Sequence, residues 1–182
     1  MGTIIQTFEE VALPHLDAAY NLARWLTRNE RDAEDVAQEA YLRAFQHFRS
    51  FQGSDARPWL LAIVRNTYYT WMRHNRAPEV RTSFDDEIYA EITNASDPEM
   101  MLVKEADKQM LRRALEKLPN DYREVIVLRE FEELSYKQIA DVVQVPLGTV
   151  MSRLARARKR LQRLLANSRH TILRAKMCRA CS

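Results

Sequence analysis

The sequence predicts an all-α protein, built as two small helical bundles joined by a flexible linker, with a helix-turn-helix in the second bundle. The chain has 182 residues and only three glycines, and its apolar residues recur at helical spacing rather than in alternation. Residues 76–97 lack a clean helical period. A linker of about 20 residues is longer than most loops and divides a chain of this length into two small units.

The first bundle is predicted over residues 1–75. Thr7 and Glu10 form a capping box, and Pro14 either bends the helix that follows or marks its true start. Asp32 is the predicted N-cap of the second helix, and Pro58 lies in the first turn of the third. The predicted helices cover about 8–26, 32–48 and 58–74.

The second bundle is predicted over residues 98–166 and contains the helix-turn-helix. Ser135 and Gln138 form a capping box at the start of its first helix. Pro146 and Gly148 end that helix, because proline lacks an amide proton and glycine tolerates a positive φ. Thr149 is the predicted cap of the helix that would enter a DNA major groove. The predicted helices cover about 98–117, 120–132, 135–143 and 149 onward.

Charge is distributed unevenly along the chain. Residues 1–141 carry 18 basic and 25 acidic side chains, whereas residues 142–182 carry ten basic and none acidic. Such a division indicates two different partners, one of them a polyanion.

The last long helix has one apolar side and one cationic side. Val150, Leu154 and Ala157 share the apolar side with Leu161, Leu164 and Leu165. Hydroxyls near the helix start and cations further along suit base edges and phosphates, although a solvated basic face gives the same pattern. Arg163 also lies on the cationic side. The candidate DNA-binding residues are Thr149, Ser152, Arg153, Arg156, Lys159 and Arg160.

Three segments resemble a known family. LEKLPNDYREVIVLREFEELSYKQIADVVQVPLGTVMSRLARARKRL is similar to the promoter-reading C-terminal domain of bacterial extracytoplasmic-function (ECF) RNA polymerase sigma factors. DAEDVAQEAYLRAFQHFRSF is similar to the polymerase-binding helix of that family, and PWLLAIVRNTYYTWMRHNR to its promoter-melting helix. The resemblance covers roughly residues 8–75 and 98–165. It implies a protein that binds RNA polymerase core, directs it to one class of promoter and helps to open the duplex.

The resemblance also implies roles for the first bundle. The second helix would bind the coiled coil of the polymerase β′ subunit, with further contacts to the β subunit, although an ordinary polar face explains the same residues. The third helix would face the minus-10 element, where an exposed aromatic beside cations suits stacking on an unpaired base; a normal amphipathic surface is the alternative. The polymerase-binding candidates are Asp35, Gln38, Glu39, Leu42 and Arg43, and the minus-10 candidates are Arg65, Asn66, Tyr69, Thr70 and Arg73.

Two segments remain open in function. The acidic residues of the linker either mimic nucleic acid in a basic channel of the polymerase or belong to an ordinary solvated tether. They are Asp85, Asp86, Glu87 and Glu91. In the basic tail, residues 167–182, Cys178 and Cys181 form half of a zinc site to which His170 could add a ligand. The pair could instead be a redox switch or two thiols on a frayed tail. No cofactor is assigned.

The rival hypothesis is a helix-turn-helix transcriptional regulator that acts without being a polymerase subunit. A protein that sequesters a sigma factor fits the basic helix poorly. An enzyme fits least, since no glycine-rich phosphate loop or nucleophile–base pair is found. No apolar run reaches the ~18–20 residues needed to span a bilayer, and no signal peptide is recognised. We therefore expect a cytoplasmic protein without a membrane partner, and the resemblance implies control by an anti-sigma factor.

Overall fold

The computed structural model describes the backbone of residues 7–51, 55–75 and 98–179, and side chains within 7–49, 51, 55–75 and 107–166. Every regular element in these ranges is helical, which confirms the predicted all-α class. The predicted linker, 76–97, lies outside the described residues. Within the described part of the chain, no helix combines the length and the apolar character needed to cross a membrane.

The first bundle follows the predicted order with two changes at helix starts. Pro14 lies in a 3-10 turn that divides the first predicted helix, as expected for a residue without an amide proton. The second long helix is capped by Asn29, whose Oδ1 accepts a hydrogen bond from the Asp32 N–H at 3.1 Å. The prediction that Asp32 caps this helix is therefore wrong. The helices are α1 (Phe8–Ala12), α2 (Leu16–Thr27), α3 (Glu30–His47) and α4 (Ala56–His74).

Small side chains line the buried face of α3. Ala33, Ala37, Ala40 and Ala44 follow the helical repeat and are all buried, where α3 packs against α2 and α4. Small residues let helix axes approach closely, because the side chains at the contact set the distance between axes. The remaining core of this bundle is built from larger apolar residues, among them Leu22, Leu26, Leu60, Leu61 and Val64.

The second bundle contains the predicted helix-turn-helix, with its turn built differently. The first of its two helices has the Ser135–Gln138 capping box. Gln144, with φ of 57°, supplies the left-handed turn residue, whereas Gly148 lies inside the next helix. That helix begins at Leu147, so Thr149 is not its cap, and the Thr149 N–H donates to the Pro146 carbonyl at 2.8 Å. The helices are α5 (Pro98–Glu116), α6 (Asn120–Ile126), α7 (Tyr136–Val143) and α8 (Leu147–Arg179).

The helix predicted over 120–132 changes its winding partway. Residues Val127–Phe131 form a π turn after α6, a feature that is often found at functional positions. On α8, Val150, Leu154 and Ala157 are fully buried, as the apolar phase predicts. Leu161, Leu164 and Leu165 are partly buried.

We expect Ser135→Ala to lower the free energy of unfolding by about 1 kcal/mol, because it removes the cap of α7. The Ser135 Oγ accepts from the Gln138 N–H at 3.2 Å, and the Gln138 side chain accepts from the Ser135 N–H at 2.9 Å. Urea unfolding measures the loss. Ser152→Ala is the control, since that exposed hydroxyl only donates to the Thr149 carbonyl within α8. Equal losses for the two variants would contradict the capping role.

Candidate polymerase and promoter interfaces

The outward face of α8 carries most of the predicted DNA-binding residues. Ser152, Arg156, Lys159 and Arg160 are exposed, and Thr149 is half-buried one turn earlier. None of the three cations forms an ion pair with another described residue. The face is therefore an unneutralised cationic strip that starts with short hydroxyls, suited to phosphates and base edges.

Arg153 lies on a different side of α8 from those cations. It is half-buried, with one Nη 3.0 Å from the Asp121 Oδ2 and the other 3.5 Å from a Glu124 oxygen. The structure therefore directs this guanidinium towards α6 rather than outward.

The predicted minus-10 residues on α4 form two groups. Asn66 and Arg73 are exposed, and Thr70 is half-buried with its hydroxyl on the Asn66 carbonyl at 2.9 Å. Arg65 and Tyr69, by contrast, face the second bundle. The Arg65 side chain is only 15% exposed and stacks on the Tyr69 ring, 4.7 Å from its centroid. The expectation of an exposed aromatic on this helix is therefore wrong for Tyr69.

The Tyr69 hydroxyl donates to Glu124 at 3.0 Å. Burial raises the pKa of Tyr69, and the nearby carboxylate raises it further. The hydroxyl accordingly stays protonated at neutral pH and acts as a donor.

The five polymerase-binding candidates on α3 share one outward arc, as the helical phase predicts. Asp35, Gln38, Glu39 and Leu42 are exposed, and the Arg43 Nε lies 2.7 Å from the Glu39 carboxylate. Leu42 is 59% exposed. This arc mixes charge, amide and a large apolar side chain, a composition typical of a protein-binding surface.

Sequence analysis missed Phe45, which extends this arc. Its side chain is 61% exposed and lies one turn beyond Leu42 on α3. The Phe45 ring makes an edge contact with Phe8, at 5.3 Å between centroids. The sequence could have indicated Phe45, because its i+3 spacing from Leu42 places both side chains on the same face of the helix.

Glu124 is the second residue that sequence analysis missed. It lies on α6, is 1% exposed, and accepts from the Arg65 Nε at 3.0 Å and Nη2 at 3.3 Å. Burial raises the pKa of Glu124, while the hydrogen bonds from Arg65 and Tyr69 lower it. The signal in the sequence was a charged pair directly before the apolar run 125–128.

The other member of that pair, Arg123, is fully buried. It donates to the Glu116 carbonyl at 3.2 Å and to the Asn120 Oδ1. The Asn120 amide in turn donates to the Tyr68 hydroxyl on α4 at 3.0 Å. Burial, together with Arg28, lowers the pKa of Arg123 to about 10, so the guanidinium remains charged at neutral pH.

His170, Cys178 and Cys181 lie outside the residues whose side chains the structure describes. The three explanations of this tail therefore stay predictions.

Two family models match the chain in the order that the two bundles follow. Residues 12–77 match Sigma-70 region 2, and residues 108–161 match Sigma-70, region 4. These matches define the class, a sigma-70-type transcription initiation protein with a DNA-binding region 4. The RNA polymerase sigma-H factor of Pseudomonas aeruginosa is 31% identical over 167 residues, covering 88% of this chain and 86% of the relative. The chain belongs to the ECF RNA polymerase sigma factors.

Two further relatives agree with this assignment. The ECF RNA polymerase sigma-E factor of Escherichia coli is 38% identical over 137 residues, covering 70% of this chain and 71% of the relative. A crystal structure of the sigma factor RpoE in complex with the anti-sigma factor NepR from Bartonella quintana superposes with a TM-score of 0.71 at 30% identity. It covers 87% of this chain and 96% of that one. The chain is thus an alternative sigma factor that directs transcription initiation.

Proposed function

We propose that this sigma factor binds RNA polymerase core through the outward arc of α3 and positions α4 and α8 on promoter DNA. This arc would bind the β′ coiled coil, with further contacts to the β subunit. It consists of Asp35, Gln38, Glu39, Leu42, Arg43 and Phe45. Leu42 and Phe45 supply the apolar anchors that protein interfaces place at their centre. The protein would act in the cytoplasm beside the polymerase and catalyse no reaction of its own.

The observation that carries the DNA-binding part of the proposal is the unneutralised strip on α8. Arg156, Lys159 and Arg160 are exposed on the second helix of a helix-turn-helix and are not paired with described acids. We assign base contacts to the first part of the strip and phosphate contacts to its later part. On α4, Asn66, Thr70 and Arg73 offer the exposed groups for the minus-10 element.

An anti-sigma factor is the proposed regulator. The structural relative RpoE is described in complex with one, and another similar structure is that of CnrH in complex with the cytosolic domain of CnrY. That second likeness has a TM-score of 0.62 at 25% identity. An inhibitor of this kind would compete with polymerase for the exposed surfaces of the two bundles.

The direct test is transcription in vitro with purified protein and core polymerase, followed by sequencing of transcript 5′ ends. We expect initiation at a defined set of promoters that core enzyme alone does not use. A helix-turn-helix regulator that is not a polymerase subunit would instead bind its sites tightly by itself and give core enzyme no new start sites. That second result would overturn the proposal.

A further inference from the structure

The first turns of α8 expose apolar side chains beside the cationic strip. Leu147 and Met151 are 48% and 52% exposed, and Ala155 is exposed one turn further on. These three residues form the apolar edge of α8, a continuous line at i+4 spacing. At 1.5 Å per residue the line is about 12 Å long, which is the height of about three to four base pairs.

The apolar edge lies next to the residues assigned to base contacts. Viewed down the helix axis, Ala155 lies between Met151 and Ser152, and all three are exposed. The major groove, about 12 Å wide, is about as wide as a helix with its side chains, so both flanks of an inserted helix meet the groove. A duplex that is contacted by Ser152 in its major groove therefore also meets Met151.

Gly148 gives a second reason to expect a close neighbour outside the chain. Its φ is not positive, and among the described residues a Cβ placed there would meet nothing within 4 Å beyond its own stretch of helix. Neither the turn nor packing within the described chain therefore requires a glycine here, although glycine is a poorer helix former than alanine. The missing side chain leaves room for a surface that approaches the backbone of α8 beside Leu147.

Charge indicates the nature of that surface. Arg156, Lys159 and Arg160 lie beside the apolar edge and are not paired with described acids, so this side of α8 attracts a polyanion. An apolar protein segment would bury Leu147 and Met151 but would leave these cations unneutralised. In the major groove of DNA, the apolar group that base pairs present is the C5 methyl of thymine.

We propose that the apolar edge contacts thymine methyl groups of the minus-35 element and that Met151 thereby sets base preference. The inference rests on the proposed function, since it takes α8 as the helix in the major groove. A thymine methyl against Leu147 and Met151 removes apolar surface on both sides from water. Cytosine at the same place presents an amino donor, which Leu147 cannot accept and Met151 accepts only weakly. The minus-35 element should therefore carry thymine, on one strand or the other, opposite the start of α8.

Replacing thymine by uracil isolates the methyl group, because uracil keeps the hydrogen-bonding edge of thymine and lacks only the C5 methyl. The probe is the strongest promoter found by mapping transcript 5′ ends, with every thymine of its minus-35 element replaced. Competition against the labelled thymine promoter measures its relative affinity for holoenzyme formed from the natural chain and core polymerase. We expect uracil to weaken binding at least fourfold, about the effect of one buried apolar carbon. Uracil placed only in the spacer between the two elements should change the affinity by less than about twofold.

Met151→Ala tests whether this residue makes the contact. Met151 is exposed, so its truncation should leave the fold intact. We expect the affinity ratio between thymine and uracil promoters to fall below about twofold for Met151→Ala. Met151→Leu should keep the fourfold ratio, because it retains an apolar side chain of similar volume. Leu111→Ala, which truncates an exposed leucine on α5, is the matched control and should also keep that ratio.

Equal affinity of the natural holoenzyme for thymine and uracil promoters would overturn the inference and leave the proposed function intact. An undiminished ratio for Met151→Ala, with the variant folded by circular dichroism, would also overturn it, since the methyl would then be contacted elsewhere. Failure of the natural chain to give core polymerase new start sites would instead count against the proposed function. In that case, duplexes selected for binding to the chain alone still show whether Met151 distinguishes thymine from uracil.

Discussion

Leu42→Asp is expected to weaken binding of the chain to RNA polymerase core by about 30-fold or more. Truncating a central anchor of a protein interface costs about 2 kcal/mol or more, and a buried charge adds a desolvation cost. Leu42 is 59% exposed on α3, so the substitution should leave the bundle intact. Affinity can be measured by titrating labelled protein with core enzyme, and we expect Phe45→Asp to behave similarly.

Leu111→Asp is the matched control for this prediction. Leu111 is also an exposed leucine, at 38%, but it lies on α5 in the second bundle. Its replacement should change the affinity for core enzyme by less than about threefold. If both leucine variants bind core polymerase as tightly as the natural chain does, the outward arc of α3 is not the polymerase-binding surface.

Arg156→Ala is expected to reduce discrimination at one base pair of the minus-35 element by about 1–3 kcal/mol, as loss of a paired arginine–guanine contact does. Lys159→Ala should instead weaken binding to all promoters evenly and lower the salt slope by about one. Both side chains are exposed on α8. Transcription from a randomised promoter library at several salt concentrations separates the two effects.

Arg158→Ala controls for the general loss of a positive charge from α8. Its guanidinium already pairs with Glu130 at 2.7 Å, so it contributes less to the field that DNA meets. We expect its promoter preferences to match those of the natural chain. Equal losses from Arg156→Ala and Lys159→Ala on every promoter would show that Arg156 contacts phosphate rather than a base.

Helix positions and their buried sides could be predicted from sequence because they depend on neighbours within one or two turns. The apolar phase of α8 correctly placed Val150 and Leu154 in the core. Caps were harder, since Asn29 and Asp32 are both good cap residues and only the backbone geometry selects Asn29. The start of α8 was missed because Leu147 is not a residue type that indicates a helix start. The first turn instead uses the Pro146 carbonyl, which accepts a hydrogen bond from the Thr149 N–H.

The outward surfaces on α3 and α8 followed from periodicity, whereas the junction between bundles did not. Glu124 meets Arg65 and Tyr69, which lie 59 and 55 residues away in the chain. Such pairings depend on how two bundles dock, and neither helical phase nor charge counts carry that information. Sequence alone therefore placed Tyr69 on an open surface with Arg65 at its edge, whereas in the structure both side chains contact the second bundle.

The alanine row on the inner side of α3 has a consequence for genetic screens. Ala37 and Ala40 belong to this row, where α3 packs against α2 and α4. A larger side chain at either position would push these helices apart and lower the free energy of unfolding by about 1–3 kcal/mol. A shift of α3 would also move Leu42, which lies on the outward side of the same helix. Genetic selections for loss of transcription should therefore recover larger side chains at these two buried positions. Such variants would resemble mutants of the outward arc of α3, although the replaced residues do not lie on that surface.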